Sequence, residues 1–188
     1  MKYVLALVMV AGLSGCHTFV KMKPDYAELP VDTLREIAVQ IEQAVKDGDR
    51  EPQIEDRGGV VLGTDTIKQA IRTRAARAHL VEAFLLTGHA WERRNGMMEI
   101  LRTREYKKSG TSRDRDRNAM VAMGEGADRW ALYEGIIDAG NFPSKSLGAV
   151  QRIFFEARVQ VMADGIKYED ESCNEAYKLG QQPAAPAK

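Results

Sequence analysis

The chain has 188 residues with 27 Lys or Arg and 27 Asp or Glu, so its formal net charge is zero at pH 7. This length is enough for a single domain with a real hydrophobic core. Its only cysteines are Cys16 and Cys173, so a chain in which Cys16 is modified has no internal disulfide and does not belong to the disulfide-stapled class.

The first residues, MKYVLALVMVAGLSGC, have the three-part pattern of a secretory signal peptide. The apolar run from Val4 to Leu13 is about half the length that a membrane-spanning helix needs. The LSGC that follows resembles the bacterial lipobox, in which the chain is cut before the cysteine and the cysteine is acylated. We therefore predict a signal peptide at 1–15 and a lipid on Cys16; a plain signal peptide with a chance cysteine is the alternative.

The rest of the chain is predicted to contain a lipidated tether at 16–30, a single helical domain at 31–179 and a disordered tail at 180–188. His17, rather than Asp, follows the lipobox cysteine, which by the enterobacterial sorting rule favours the outer membrane, facing the periplasm. Cys173 would have no partner and is interpreted as an inert thiol in an acidic setting.

Charge is unevenly distributed along the chain. From Ile67 to Asn118 there are thirteen Lys or Arg, ten of them arginine, against six Asp or Glu, and both flanking regions are acidic. Basic patches often bind nucleic acid, but a periplasmic address makes that partner class implausible. The remaining candidates are anionic lipid, lipopolysaccharide phosphate, peptidoglycan, an acidic protein or the acidic flanks themselves.

The first two helices are indicated by caps and apolar spacing. One is predicted to begin at an Asp32 cap and to end at Gly48, with apolar residues at helical spacing between them. The next begins at a Thr64 cap and runs to Gly88. Its arginines are assigned to faces other than the buried stripe: Arg72, Arg74 and Arg77. His79 is interpreted as a packed, hydrogen-bonded side chain.

The densest chemistry lies in HAWERRNGMMEILRTRE, which spans 89–105. Asn95-Gly96 predicts a β-hairpin with a type I′ turn, because both turn positions need positive φ; a helix with an internal glycine over 88–102 is the alternative. Arg93 and Arg94 are predicted at the tip, and Trp91 as an exposed aromatic. The predicted binding residues are Trp91, Arg93, Arg94, Arg102 and Arg104.

The third helix is predicted from a cap at Thr111 or Ser112 to about Ala139, and Gly124 and Gly126 suggest a kink in its middle. Its buried side is expected to hold Met120, Met123, Ala127, Trp130, Ala131 and Ile137.

A turn over 140–146 leads to the fourth helix, with an apolar stripe from Leu147 to Val161. The predicted fold class is therefore mainly α, with about four amphipathic helices packed with one small β-hairpin.

Catalytic motifs are not found in the sequence. The histidines are His17, His79 and His89, and the pair His89 with Glu92 has no further ligand cluster to complete a metal site. There is also no phosphate-binding loop and no dinucleotide fingerprint. We predict a protein that is not an enzyme and has no metal or cofactor.

Two stretches together carry a family resemblance. The hairpin region reads G-x-x-x-E-x-x-x-G-x-M, and Arg129 to Glu169 reads as two helices with an Arg…Tyr pair and A-V-x-R-I. They resemble the C-terminal half of the YdbL-like family of small bacterial envelope proteins. The residues that match, with the turn asparagine between them, are Gly88, Glu92, Asn95, Gly96, Arg129, Tyr133, Arg152, Gly165 and Tyr168. Residues 17–87 and the lipobox depart from the family pattern.

The resemblance implies structural roles for these residues, no catalytic ones, and an envelope role beside AsmA-like bridge proteins that move lipids between membranes. We therefore predict a lipid-anchored, periplasm-facing accessory protein that binds another cell-envelope component and supports lipid transport or assembly. A structural or cell-wall-associated lipoprotein is the first alternative, and an envelope hydrolase is the second. The predicted partners are the membrane, through the anchor, and an envelope protein; lipid, lipopolysaccharide or peptidoglycan are further candidates.

Overall fold

The computed structural model describes residues 25–170. The signal peptide, Cys16, Cys173 and the tail, on which several predictions fall, lie outside the described residues. Of the predicted tether, only 25–30 are described, and these residues are in neither a helix nor a strand.

The described chain is mainly helical with one two-stranded antiparallel sheet, which confirms the predicted fold class. The elements in chain order are α1 (Val31–Asp47), α2 (Asp65–Leu86), β1 (Ala90–Glu92), β2 (Met98–Ile100), α3 (Arg104–Lys108), α4 (Ser112–Ala139), a 3₁₀ turn (Ser144–Ser146) and α5 (Leu147–Val161). The short α3 was not among the predicted helices.

Local capping chemistry sets several helix ends. The Thr64 side chain accepts a hydrogen bond from the backbone N–H of Ile67 at the start of α2. Thr111 and Asp114 form a reciprocal capping box at the start of α4. Gly48 ends α1 with a φ of 74°, a left-handed conformation that suits glycine. The predicted Asp32 cap is wrong: α1 begins at Val31, and Asp32 lies in its first turn, where the helix dipole favours an acidic side chain.

Helix α4 is continuous from Ser112 to Ala139, and the kink suggested at Gly124 and Gly126 stays a prediction. The two glycines leave room for neighbouring side chains. A Cβ added at Gly124 would lie 3.2 Å from the guanidinium carbon of Arg77, and one added at Gly126 would lie 3.3 Å from the terminal methyl of Met97.

The predicted buried side of α4 is also wrong in its first two thirds. Met120 is 70% exposed, Met123 72% and Trp130 40%, although their spacing resembles a core stripe. The inward side of that part of the helix carries Glu125 and Arg129 instead. Periodicity alone predicts an apolar face, and here that face points to solvent.

The core consists of two apolar clusters at different levels of the helices. The larger one joins α1, the first half of α2, the second half of α4 and α5 around residues such as Ile37, Ile67 and Ile136. The smaller one joins the end of α2, the hairpin and the segment after α5 around Phe84 and Ile166. A layer of buried charged side chains belongs to neither cluster and lies between them along α2 and α4.

The predicted hairpin is present, with Trp91 opposite Glu99 in its register. Its turn is not type I′: Asn95 has no positive φ, whereas Gly96 has a φ of 77°. Arg93 N–H donates to the Met97 carbonyl and Gly96 N–H donates to the Arg93 carbonyl, which closes a three-residue loop with glycine in the left-handed position. The segment after α5 adds a parallel bridge between Glu92 and Tyr168.

Over residues 25–170, no helix has both the length and the apolar character required to cross a membrane.

Candidate functional site

Six charged side chains, each no more than 6% exposed, form a closed ring between the helices. Around the ring they alternate in sign, in the order Glu42, Arg74, Glu125, Arg129, Glu92, Arg158 and back to Glu42. The six N···O contacts between neighbours measure 2.7–3.1 Å. We call this set the charge ring; its three arginines and three glutamates make it electrically neutral.

The charge ring connects every long helix to the hairpin. Its members come from α1 (Glu42), α2 (Arg74), β1 (Glu92), α4 (Glu125 and Arg129) and α5 (Arg158). Arg74 meets Glu42 through two parallel hydrogen bonds, and Arg129 meets Glu92 in the same way. Such two-point contacts fix the orientation of both partners as well as their distance.

The electrostatics of the charge ring favour the ionised form of two of its carboxylates, Glu92 and Glu125. Burial by itself raises the pKa of Glu92, but Arg129 and Arg158 outweigh burial and lower this pKa from 4.5 to about 2. Burial likewise raises the pKa of Glu125, and Arg74 and Arg129 overcome it to give a pKa of about 2.

The loop of the hairpin closes over the charge ring. The Gly96 carbonyl accepts hydrogen bonds from Arg158 (2.8 Å), Arg129 (3.3 Å) and the Tyr133 hydroxyl (2.9 Å). A side chain at this position would collide, because an added Cβ would lie 3.0 Å from both the Tyr133 hydroxyl and the Gln151 carbonyl oxygen. The loop therefore points into the protein and uses glycine for close approach.

The predicted binding residues of the hairpin are not arranged as an open binding surface. Trp91 is 1% exposed, so the prediction of an exposed aromatic is wrong. Arg93 pairs with Glu99 and Glu169 and stacks over the Trp91 ring at 5.4 Å, and Arg94 hydrogen-bonds Glu169. The physical reason is that the acidic segment after α5 packs against the loop. The Glu169 carboxylate pairs with Arg93, and the Glu169 backbone carbonyl accepts a hydrogen bond from the Arg94 guanidinium.

The other two predicted binding residues, Arg102 and Arg104, are exposed. Arg102 lies after β2, and Arg104 lies at the start of α3. Among the described residues, no hydrogen bond or ion pair links either of them to the arginines of the hairpin loop.

The residues singled out by the family resemblance divide into three groups. Glu92, Gly96, Arg129 and Tyr133 converge on the charge ring. Gly88 and Gly165 have left-handed φ values of 70° and 89° and serve as turns. The rest are exposed and lie outside the ring: Asn95, Arg152 and Tyr168.

Four ring members were missed by the sequence analysis: Glu42, Arg74, Glu125 and Arg158. Arg74 was even assigned to an outward face, yet it is 1% exposed. The available signal was that such residues lie next to buried apolar residues at helical spacing, as Arg74 does one turn after Ala70 and Ile71. Long charged side chains at such positions are usually solvated, so the pattern does not distinguish a buried ion pair from an exposed one.

A small cavity of about 80 Å³ opens beside the charge ring. Its apolar walls come from α2 and the segment after α5, for example Val81, Leu85 and Ile166, and all six ring members contribute to its lining. This volume corresponds to about two or three water molecules.

The outer face of α4 presents the largest apolar side chains that the described part of the chain exposes on one helix. In chain order this face consists of Arg113, Asp116, Arg117, Met120, Met123, Ala127, Trp130, Glu134 and Asp138, all exposed. At 100° per residue they fall within about 140° of the helix circumference. We call this set the α4 face; it is an apolar centre with charged ends.

The two histidines within residues 25–170 do not assemble a site. His79 is exposed rather than packed, and His89 contacts the ring of Tyr106 at a centroid distance of 5.4 Å. Within residues 25–170, no group of three or more His, Cys, Asp or Glu side chains is arranged to hold a metal ion.

Comparisons with known proteins give no relative for this chain. No family model, no curated protein and no solved structure matches it. The resemblance to the YdbL-like family accordingly stays a prediction.

Proposed function

We propose that this chain is a lipid-anchored, periplasm-facing accessory protein that acts by docking onto an envelope protein through the α4 face. The observation that carries the proposal is the exposed apolar centre of that face, where Met120 and Met123 are 70% and 72% exposed and Trp130 lies about two helical turns beyond Met123. Exposed apolar side chains grouped on one helix are typical of protein interaction sites.

The composition of the α4 face suits a protein partner. Methionine side chains are flexible and polarisable, so they adapt to an irregular partner surface. Tryptophan is enriched at energetically important interface positions. Arginines lie at one end of the apolar centre, and Glu134 and Asp138 lie at the other. The acidic end would repel an anionic glycan or lipid head group, so the mixed charge of the face favours a protein partner.

Other uses of the basic middle region have less support. Arg74 is paired inside the charge ring, Arg77 bonds Glu125 and Asp128, and Arg93 bonds Glu99 and Glu169. These three arginines are occupied by the chain's own carboxylates, so they are not available to an anionic ligand.

In-cell photocrosslinking tests the proposal. A photoreactive amino acid at position 123 should crosslink to a specific envelope protein, and Met120→Asp should abolish that product because it places a charge in the apolar centre. The same photoreactive residue at position 55, where Glu55 is exposed on a loop far from α4 in sequence, is the control and should give no such product.

Circular dichroism and membrane fractionation must show that Met120→Asp is folded and localised like the wild type. Equal crosslinking from positions 123 and 55, or a product that survives Met120→Asp, would contradict the proposal. Loss of membrane association in a Cys16→Ala variant tests the anchor separately.

A further inference from the structure

The α4 face has a charge polarity along its length. Its N-terminal end carries Arg113, Asp116 and Arg117, a net charge of +1, and its C-terminal end carries Glu134 and Asp138, a net charge of −2. The apolar residues from Met120 to Trp130 lie between the two ends. A helix face with opposite charge at its two ends is complementary to a copy of itself turned end to end.

We propose that the partner of the α4 face is the α4 face of a second copy of this chain, packed antiparallel about a two-fold axis. This inference rests on the proposed function, since it names the partner of the same surface. Two-fold interfaces are the commonest among homo-oligomers, and they require one surface that complements itself.

The spacing of the residues fits one register. If the two-fold axis passes close to residues 125–126, Arg117 lies opposite Glu134 of the other copy and Arg113 lies opposite its Asp138. The same register puts Met120 opposite Trp130 and Met123 opposite Ala127. Apolar side chains thus meet at the centre, and both ends form opposite-charge pairs, each occurring twice by symmetry.

A parallel arrangement is disfavoured by the same charges. It would place Arg117 beside Arg117 and Glu134 beside Glu134, and it would align the two helix dipoles with like ends together. Asp116 is the one charge in the face that does not favour the antiparallel register, because it lies near Glu134 of the other copy. The two arginines around it leave the N-terminal end positive.

Cysteine crosslinking in whole cells tests the geometry. Two differently tagged full-length copies are co-expressed in a Cys173→Ser background, one with Arg117→Cys and the other with Glu134→Cys, and treated with a short bis-maleimide. We expect a covalent product carrying both tags. The matched control uses Arg117→Cys in both copies, whose cysteines would lie about 25 Å apart along the helix axis in the antiparallel register, and should give no product.

Charge reversal tests the complementarity. Co-purification of two tagged copies should fall about tenfold for Arg117→Glu or for Glu134→Arg, because each change turns two symmetry-related ion pairs into like-charge contacts. The double variant Arg117→Glu/Glu134→Arg should restore co-purification, since it exchanges the two charges. Arg152→Glu, at an exposed position on α5, is the control and should behave as the wild type.

The outcomes separate this inference from the proposed function. Crosslinking from 117 to 134 with restoration by the double variant supports the antiparallel pair. Crosslinking from 117 to 117 alone overturns it in favour of a parallel pair. No self-association, together with a Met120-dependent crosslink to a different protein or to the chain's own 171–188 segment, overturns the inference; the different protein leaves the proposed function standing. Neither self-association nor any Met120-dependent partner overturns both.

Discussion

Glu92 is 2% exposed and lies between two arginines of the charge ring. Its carboxylate accepts hydrogen bonds from Arg129 and Arg158. Its backbone N–H donates to the Lys167 carbonyl, and its backbone carbonyl accepts from the Glu169 N–H. A buried ion pair adds little net stability when compared with a well-packed apolar replacement, but removing one partner strands the other charges in a low-dielectric interior. Loss of one ring member should therefore lower the stability of the fold far more than the net contribution of the whole ring to that stability suggests.

Replacing Glu92 by glutamine should lower the free energy of unfolding by about 3–5 kcal/mol, because Arg129 and Arg158 lose their shared negative partner. Urea denaturation measures this change. Glu55→Gln, at an exposed carboxylate, is the control and should change stability by less than about 0.5 kcal/mol. Similar small effects for both variants would mean that the ring tolerates an unpaired arginine.

The close packing of other atoms around Gly96 can be tested with a single substitution. Gly96→Ala should lower stability by about 2–3 kcal/mol, since it combines a left-handed φ of 77° with a Cβ only 3.0 Å from two oxygen atoms. Gly59→Ala is the matched control: its φ is 88°, but an added Cβ meets nothing within 4 Å, so only the backbone strain of about 1 kcal/mol remains. Thermal unfolding of the two variants isolates the cost of the contact, and equal losses would refute it.

At the level of elements, α4 serves two purposes with two faces. Its inward face supplies Glu125 and Arg129 to the charge ring and Ile136 to the larger core cluster. Its outward face presents methionine and tryptophan to solvent. This division explains why the apolar stripe from Met120 to Trp130 was mistaken for a core stripe.

The assignment of the two faces predicts that substitutions on the inward face lower stability much more than substitutions on the outward face. Met120→Ser/Met123→Ser should change the free energy of unfolding of the dilute, monomeric chain by no more than about 0.5 kcal/mol, because both side chains are already exposed. Ile136→Ser, at a fully buried position, should lower it by about 3–5 kcal/mol. Chemical denaturation of both variants is the test, and a large loss from the methionine pair would return α4 to the orientation that periodicity predicted.

At the scale of the whole molecule, the charge ring is a layer of ion pairs that joins all four long helices to the hairpin. Arg74 and Arg158 both contact Glu42, so α1, α2 and α5 are linked at one carboxylate. Apolar clusters above and below tolerate small shifts, whereas alternating charges with two two-point contacts among them allow one arrangement. We expect the ring to specify how the helices pack more than how stable they are.

This arrangement predicts acid sensitivity with a definite sign. Glu92 and Glu125 have a pKa of about 2 in the folded protein against 4.5 for an ordinary glutamate. Below the higher value, the unfolded chain binds protons that the folded chain does not, so the stability from these groups is complete above pH 4.5 and declines as the pH falls towards 2.

Urea denaturation at a series of pH values from about 6 to about 2.5 should therefore show falling stability below about pH 5. Glu92→Gln should show a shallower decline, because one of the two proton-binding differences is removed. A free energy of unfolding that stays constant from pH 5 to pH 3, or a variant with the same slope as the wild type, would contradict the assignment.

Much of the fold can be predicted from local chemistry. The Thr64 and Thr111 caps, the Gly48 helix end and the Asn95-Gly96 hairpin signal are interactions within a few residues, and the structure has helices or turns at each of them. The four long helices and the fold class follow from these signals and from apolar periodicity.

The candidate sites depend on contacts between distant residues, which local patterns do not encode. An arginine such as Arg74 looks solvated in the sequence, and becomes buried only because Glu42 and Glu125 arrive from two other helices to neutralise it. The apolar stripe of α4 faces outward for the same reason, since the charge ring occupies its inward side. Charge burial is a property of the assembled set, so side-chain pairing across the helices decides which face is core and which is surface.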